Sequence, residues 1–547
     1  MDAPAPPAPS PAIRRGAAIA ALAVSLALTV AHTWPLATAP RSLSRHDNAD
    51  TTLNAWIVAW VAHQLPRDPG HLFDAPIFHP ERRTLAYSEP LIVPGAMAIP
   101  LRAAGLDATA TYNLLAMLGY ALSAWAMWRL VARWTGDEWA GATAGAAYAF
   151  NAHLLTRFGH LQALHAEFVP LVLLGVDGLA RRATWRDAAL LAAGLVLTGL
   201  TSIYQLTFAA AATVAGLAAR AGEWRARAAR TLGVTFAGIA GAVLLLSPML
   251  WQYLMVSREL GLVRSLDAAL RSAATWRDYL ATAGRLHHAL WSAPFTGGTA
   301  LFPGIAVTAL AVVALVRPAR ARGRIAMAAA IAVVGLVMSI GPRLPTYAWL
   351  YDLVPLLQAT RVTSRWGVLV LTGLALLAGY GLARVRAGLS GPAARLVGLG
   401  ALLVVTAEAW RAPVAYTPSP AVPPIYERLA RLEGAVLLEL PIFPGAQFNL
   451  NAPYLLAQTV HFLPILAGYS GWSTPGYDER LRALSTFPGD ESRATLAGLG
   501  VTHVVIHLDR LPEYRAAIDR LDAVPWLARE MDDATVRVYR VQPPAPR

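Results

Sequence analysis

The stretch RHDNADTTLNAW, residues 45–56, follows a long apolar run and places two carboxylates, Asp47 and Asp50, just ahead of an apolar helix signal. The same loop adds Glu89, in AYSEPL, and His46, His63, His71, Asp74, His79 and Glu81. Carboxylates gathered at a membrane surface can do three kinds of work. One can take a proton from a hydroxyl as it attacks an electrophile. Several can hold a divalent cation, Mg or Mn, through oxygen ligands. Or an aspartate at a helix start can satisfy free N–H groups, and Asp50 is placed to cap a helix beginning near Thr51. Glu89, ahead of Pro90, fits a second acid or a helix-start residue. His79, Glu81 and the Arg82–Arg83 pair read as a solvated turn.

Four other groupings could carry chemistry. NAHLLTRFGHLQALHAE puts His153, Arg157 and His160 at spacings of four and three, one face of a helix, with His165 and Glu167 following. Histidines so spaced can bind metal, but contact with a phosphate or a plain interfacial loop fits the setting better. QATRVTSRWG puts Arg361 and Arg365 four apart. A guanidinium holds phosphate bidentately and keeps its charge, although an arginine at a membrane boundary also snorkels to lipid headgroups. SIYQ, with Tyr204 and Gln205, interrupts an apolar region and fits a cavity lining or, better, a hairpin between two spans. GYSGWSTPGYDE, with Tyr469 and Trp472, has the composition of a sugar-stacking surface and equally of a tight loop.

These residues need elements to position them. The chain of 547 residues is 56% hydrophobic and only 14% charged. Apolar stretches recur at 14–35, 110–132, 139–152, 164–180, 187–203, 204–219, 231–250, 301–316, 325–340, 366–383 and 394–410. Eleven such segments describe a polytopic α-helical membrane protein. The first is too long for a signal-peptide core and reads as a retained helix. Leu91–Ala104 is apolar but short and broken by prolines, so it reads as a re-entrant or interfacial piece. The net charge is +13 and every basic residue is arginine. Most arginines punctuate the spans, as the positive-inside rule expects, which removes nucleic acid as a partner. In that count the cytoplasmic loops hold Arg129, Arg133, Arg181, Arg225, Arg322 and Arg384, and the first loop (36–109) and the C-terminus face outward. With no cysteine there is no disulfide, thiolate chemistry or Cys-based metal site.

The expected domains are a transmembrane part, 1–412, and a small extracytoplasmic α/β part, 413–547. In the latter GAVLLEL, VTHVVIHL and ATVRVYRV read as strands. PPIYERLARL and LPEYRAAIDRL read as amphipathic helices, and GDESRATLAGLG as a helix capped by Asp490.

NADTTLNAWIVAWVAHQL, LFDAPIFHPERRTLAYSEPL, TYNLLAMLGYALSAWAMWRLVAR and AYAFNAHLLTRFGHLQALHAEFVPLVLL together resemble a bacterial group in the C-type glycosyltransferase superfamily. Protein O-mannosyltransferases and aminoarabinose transferases are distant relatives of that plan. The likeness continues in LLQATRVTSRWGVLV and ILAGYSGWSTPGYDERLRAL. It implies that Asp50, the aspartate before LNAW, acts as base or metal ligand, assisted by Asp47 or Glu89. It also implies that His160, Gln162 and Glu167 belong to the substrate region. The donor would be a polyprenyl-phosphate sugar with its phosphate on Arg361 or Arg365. The acceptor, a glycan, lipid or protein, would meet Tyr469 and Trp472 on the outer face of the bacterial cytoplasmic membrane. The rival readings are a transporter or flippase, which would use intramembrane acids such as Asp177 and Glu408, and a non-catalytic envelope scaffold.

Overall fold

The computed structural model describes residues 15–261, 265–295, 297–316, 321–358 (backbone only at 355 and 356) and 362–542. Arg361 therefore lies outside the described residues. A helix forms within each of the eleven apolar segments. Six are long and apolar enough to cross a membrane: those within Arg15–His32, Ala108–Thr135, Ala221–Leu260, Arg322–Arg343, Thr363–Arg386 and Gly391–Ala409. The protein is a multi-pass membrane protein.

The shorter helices have local causes. Glu138–Ala149 stops before Asn151, whose side chain caps a new turn by accepting from the Leu154 N–H. Val169–Arg181 starts late because Pro170 belongs in a first turn. Trp185–Thr201 and Ile203–Ala219 are parted by Ser202 in extended backbone, which ends one helix and caps the next by accepting from the Gln205 N–H. Leu91–Ala104 holds a twelve-residue helix, Ile92–Ala103.

The chain divides into two units, one division falling at 415/416, close to the 412/413 boundary expected, and the first loop grouping with the tail. One, the helical unit, is Met1–Ala39, Leu114–Pro248 and Val263–Ala415, as far as these are described. The other combines Pro40–Asn113 and Met249–Leu262 with the tail, Tyr416–Arg547. First loop and tail thus belong to one body.

In the helical unit, Gly367–Arg386 is buried along most of its length between Glu138–Ala149, Ile305–Val316 and Arg322–Ile340. Its glycines permit that approach. Gly373 lies against the Ala328 carbonyl and Gly381 against the Leu310 carbonyl, with no room for a Cβ. The two intramembrane acids are committed to structure. Asp177 is fully buried and pairs with Arg181, Arg220 and Arg324. Glu408 caps Ile305–Val316 by accepting from the Ile305 and Ala306 N–H groups at 3.1 and 3.0 Å.

In the second unit, helix Ala49–Gln64 is buried from Thr51 to Ala62 and packs on Ile92–Ala103 and on Ala452–His461 of the tail. The Trp56 indole N–H donates to Gln458 Oε1 at 2.7 Å, and Gln458 Nε2 donates to the Leu463 carbonyl at 2.8 Å. Leu43–Ser44 pairs antiparallel with Thr417–Pro418. The tail carries a mixed four-stranded sheet in the order 437–440, 503–507, 536–541, 527–532. The first two strands are parallel, with Leu437 opposite His503, and the others antiparallel. Three of these strands match the segments read from sequence; Leu527–Asp532 was not anticipated. The expected Asp490 cap is corrected: Gly489 holds the cap position and Asp490 is the first helical residue, where its charge still favours the helix start.

Candidate functional site

Asp50 sits in the first turn of Ala49–Gln64, but it is not the cap. Asn48 is, its side-chain oxygen accepting from the Asp50 N–H at 2.8 Å. The half-buried Asp50 carboxylate instead accepts from the Tyr469 hydroxyl at 2.6 Å. Asp47 precedes the cap, is exposed, and pairs with Arg45 at 3.3 Å. Glu89 is half-buried, and the adjacent Ser88 carbonyl accepts from the Tyr253 hydroxyl at 2.6 Å.

The turn read as solvated is tied down. Glu81 pairs with Arg480 at 2.9 Å, Arg83 with Glu259 at 2.6 Å, and His79 Nε2 meets the Leu499 carbonyl at 3.1 Å. Beside it, tail residues run against the loop. The Phe78 N–H donates to Ala467 O and the His79 N–H to Ile465 O, while the Ile465 N–H donates to Pro76 O. Gly468 and Gly471 complete this docking. A Cβ on Gly468 would lie 2.5 Å from the Phe78 ring, and one on Gly471 would lie 2.6 Å from the Tyr87 carbonyl. Tyr469 stands between them, edge-on to Phe448 with ring centres 5.1 Å apart. Trp472, next in the loop, is half-buried.

Burial holds several histidines of this unit neutral, His46 and His461 among them. Burial pushes His46 down to about 4 against the pull of Asp107 and Asp47, and both its ring nitrogens are buried without a hydrogen-bond partner among the described residues. Burial pushes His461 down to about 3, and its Nδ1 accepts from the Leu463 N–H at 3.0 Å. Unfolded, both take protons below their ordinary 6.5. Their depressed values give stability that is full above pH 6.5 and lost as the pH falls toward 4, at up to about 1.4 kcal/mol per pH unit for each ring. The melting temperature is therefore expected to drop as pH falls from 7 to 4.5. A flat profile in a thermal melt series would contradict this.

In the helical unit the expected helical face of His153, Arg157 and His160 does not exist. Ala152–Leu155 is a single turn, and His160 precedes another, Leu161–Leu164. The residues are gathered by tertiary structure instead. Arg365, on the turn Thr363–Trp366, donates from Nη2 to His160 Nε2 at 3.2 Å, and its guanidinium lies over the Tyr204 ring at 4.8 Å. His153 is buried and held neutral, first by desolvation and then by Arg157, Arg365 and His160. Gln205 Nε2 donates to the Gln162 carbonyl. Gln162 and Glu167 are buried, and Glu167 Oε1 meets His165 Nδ1 at 2.9 Å. Among the described residues no carboxylate pairs with Arg365, so its charge rests on neutral groups. Tyr204 and Gln205 thus do more than turn the chain. The one sequence signal for them was a polar break in an apolar run.

Among the described residues, no three His, Asp or Glu side chains converge. Asp47 is taken by Arg45 and Asp50 accepts from Tyr469.

No protein-family model and no curated protein matches the chain. Solved structures match it in fold. Arabinofuranosyltransferase AftD from Mycobacteria gives a TM-score of 0.60 at 19% identity over 98% of this chain, which spans 42% of that protein's length. ArnT from Cupriavidus metallidurans, solved bound to undecaprenyl phosphate, gives 0.51 at 14% identity, covering 96% of this chain and 98% of ArnT. The chain has the fold of the C-type glycosyltransferases.

Proposed function

We propose that the protein is a membrane glycosyltransferase that moves a sugar from a polyprenyl-phosphate carrier to an acceptor hydroxyl outside the cytoplasmic membrane. The observation that carries this reading is Asp50. Its helix is capped by Asn48, and its carboxylate already takes an O–H donor at 2.6 Å, the geometry in which a base receives an acceptor proton. The fold shared with two glycosyltransferases, one of them bound to a polyprenyl phosphate, supports it.

In the reaction the acceptor oxygen attacks the anomeric carbon and inverts it. Asp50 takes the proton, and the bond to the carrier phosphate breaks with the electron pair leaving on phosphate. Asp47 and Glu89 add negative charge to the loop that holds the base. Trp472 is the acceptor-stacking candidate of the tail. No step is routed through a cation. The eleven apolar segments are taken as eleven crossings, the shorter completed by non-helical backbone inside the bundle. The arginine-rich loops then lie in the cytoplasm, and the tail outside as a small α/β domain. Structural roles for Asp177 and Glu408 favour this reading over transport.

Arg365 is the candidate for the carrier phosphate, with His160 and Tyr204 holding its guanidinium. A charge-assisted bidentate contact is worth about 1.5–3 kcal/mol, roughly a 10- to 100-fold change in binding. Arg365→Ala is expected to raise the donor KM by that factor with little change in acceptor KM. Arg365→Lys should rescue poorly, because a point charge lacks the fork. A donor KM unchanged in both variants would remove Arg365 as the donor-phosphate contact. The reading as a whole is tested by offering purified protein a panel of polyprenyl-phosphate sugars and measuring released carrier phosphate. Folded protein that releases none from any donor contradicts it.

A further inference from the structure

The tail is docked on the first loop with unusual closeness around one residue. Backbone hydrogen bonds join 76–79 to 465–467, and Gly468 and Gly471 press on Phe78 and on the Tyr87 carbonyl. Asn451 Nδ2 holds the Gly468 carbonyl at 3.2 Å. Between these fixed points stands Tyr469, whose hydroxyl donates to Asp50. Such docking fixes the direction from which the phenol reaches the carboxylate. A hydroxyl donor at 2.6 Å to an anion is a short, charge-assisted bond, and it helps to set the rotamer of the acid.

We infer that Tyr469 is a positioning residue for Asp50, delivered by the 465–471 segment of the tail, and not an acceptor-stacking residue. This rests on the reading of Asp50 as the base. The first loop supplies the base and the tail sets its orientation. Both segments are then needed for turnover, although Tyr469 acts only through the Asp50 carboxylate. Gly468 and Gly471 matter because they let the segment lie flat enough for the phenol to reach Asp50.

The test uses full-length protein in detergent and compares wild type with Tyr469→Phe, Gly471→Ala and Asp50→Asn. Phenylalanine keeps the edge contact with Phe448 and loses only the hydroxyl. Both Tyr469→Phe and Gly471→Ala are expected to lower kcat about tenfold at an unchanged acceptor KM, as loss of one hydrogen bond to a charged group predicts. A second readout needs no substrate. Carbodiimide coupling of a small amine, located by mass spectrometry, should label Asp50 several-fold faster in Tyr469→Phe than in wild type. Tyr469→Phe with wild-type kcat, beside an inactive Asp50→Asn, overturns the positioning role and leaves the base reading standing. A raised acceptor KM at unchanged kcat also overturns it, making Tyr469 an acceptor contact. An Asp50→Asn enzyme as active as wild type removes the base reading and this inference with it.

Discussion

An Asp177→Ala variant is expected to lose about 3–5 kcal/mol of stability, the cost of leaving buried charges without their counterion. Asp177 has no solvent exposure, and its two oxygens take four guanidinium hydrogen bonds. Arg220 Nη1 reaches Oδ1 at 2.6 Å and Arg181 Nη2 reaches Oδ2 at 2.7 Å. Arg324 forks onto both oxygens from Nε and Nη2 at 3.0 and 2.9 Å. Arg324 also donates from Nη1 to the Trp134 carbonyl at 3.2 Å. One carboxylate therefore ties Val169–Arg181 to the end of Ile203–Ala219, to Arg322–Ile340 and to the end of Ala108–Thr135. Glu223 offsets part of the charge on Arg220, but nothing else described pairs with Arg324 as an anion. Asp177→Asn keeps the shape and should lose less. A melting temperature unchanged in Asp177→Ala would mean that the cluster contributes no net stability. The exposed Asp47–Arg45 pair is the contrast, since surface pairs are worth about 0–1 kcal/mol.

The second large effect is on rate. Asp50→Asn is expected to reduce kcat by roughly 10²- to 10⁴-fold, the range a positioned general base supplies. The amide is nearly isosteric and can still accept from Tyr469 through its oxygen, but it cannot take the acceptor proton. Stability should barely change, because the helix cap belongs to Asn48. That separation makes the variant informative: a fall in rate with an unchanged melt cannot be ascribed to a lost cap. A melt that collapses together with the rate would instead make Asp50 a structural residue.

Much of the fold was legible because its signals are local. Long apolar runs between arginines give helices, and alternating β-branched stretches give three of the four tail strands. Ser202 was readable as an interruption, yet its double role as the end of one helix and the cap of the next follows from backbone geometry. Where local rules compete, the neighbour won. Asn48, two residues before Asp50, took the cap, and Gly489 displaced Asp490. The helical spacing of His153, Arg157 and His160 misled, because the helix ends at Leu155 and His160 stands at the cap of a separate turn. What brings His160 to Arg365 is packing across about 200 residues, for which one sequence carries no sign. The same holds for Tyr469 and Asp50, and for the strand Leu527–Asp532, whose charged, half-exposed face hid its period. Asp50 was singled out from its place before LNAW; its hydrogen-bond partner Tyr469 was not tied to it by any sequence signal.

The most direct measurement is release of carrier phosphate by purified full-length protein with a panel of polyprenyl-phosphate sugars, wild type beside Asp50→Asn. The account predicts release from at least one donor that falls by two or more orders of magnitude in the variant, at an unchanged melting temperature. Equal release by the two proteins, or none from any donor by well-folded wild type, would contradict it.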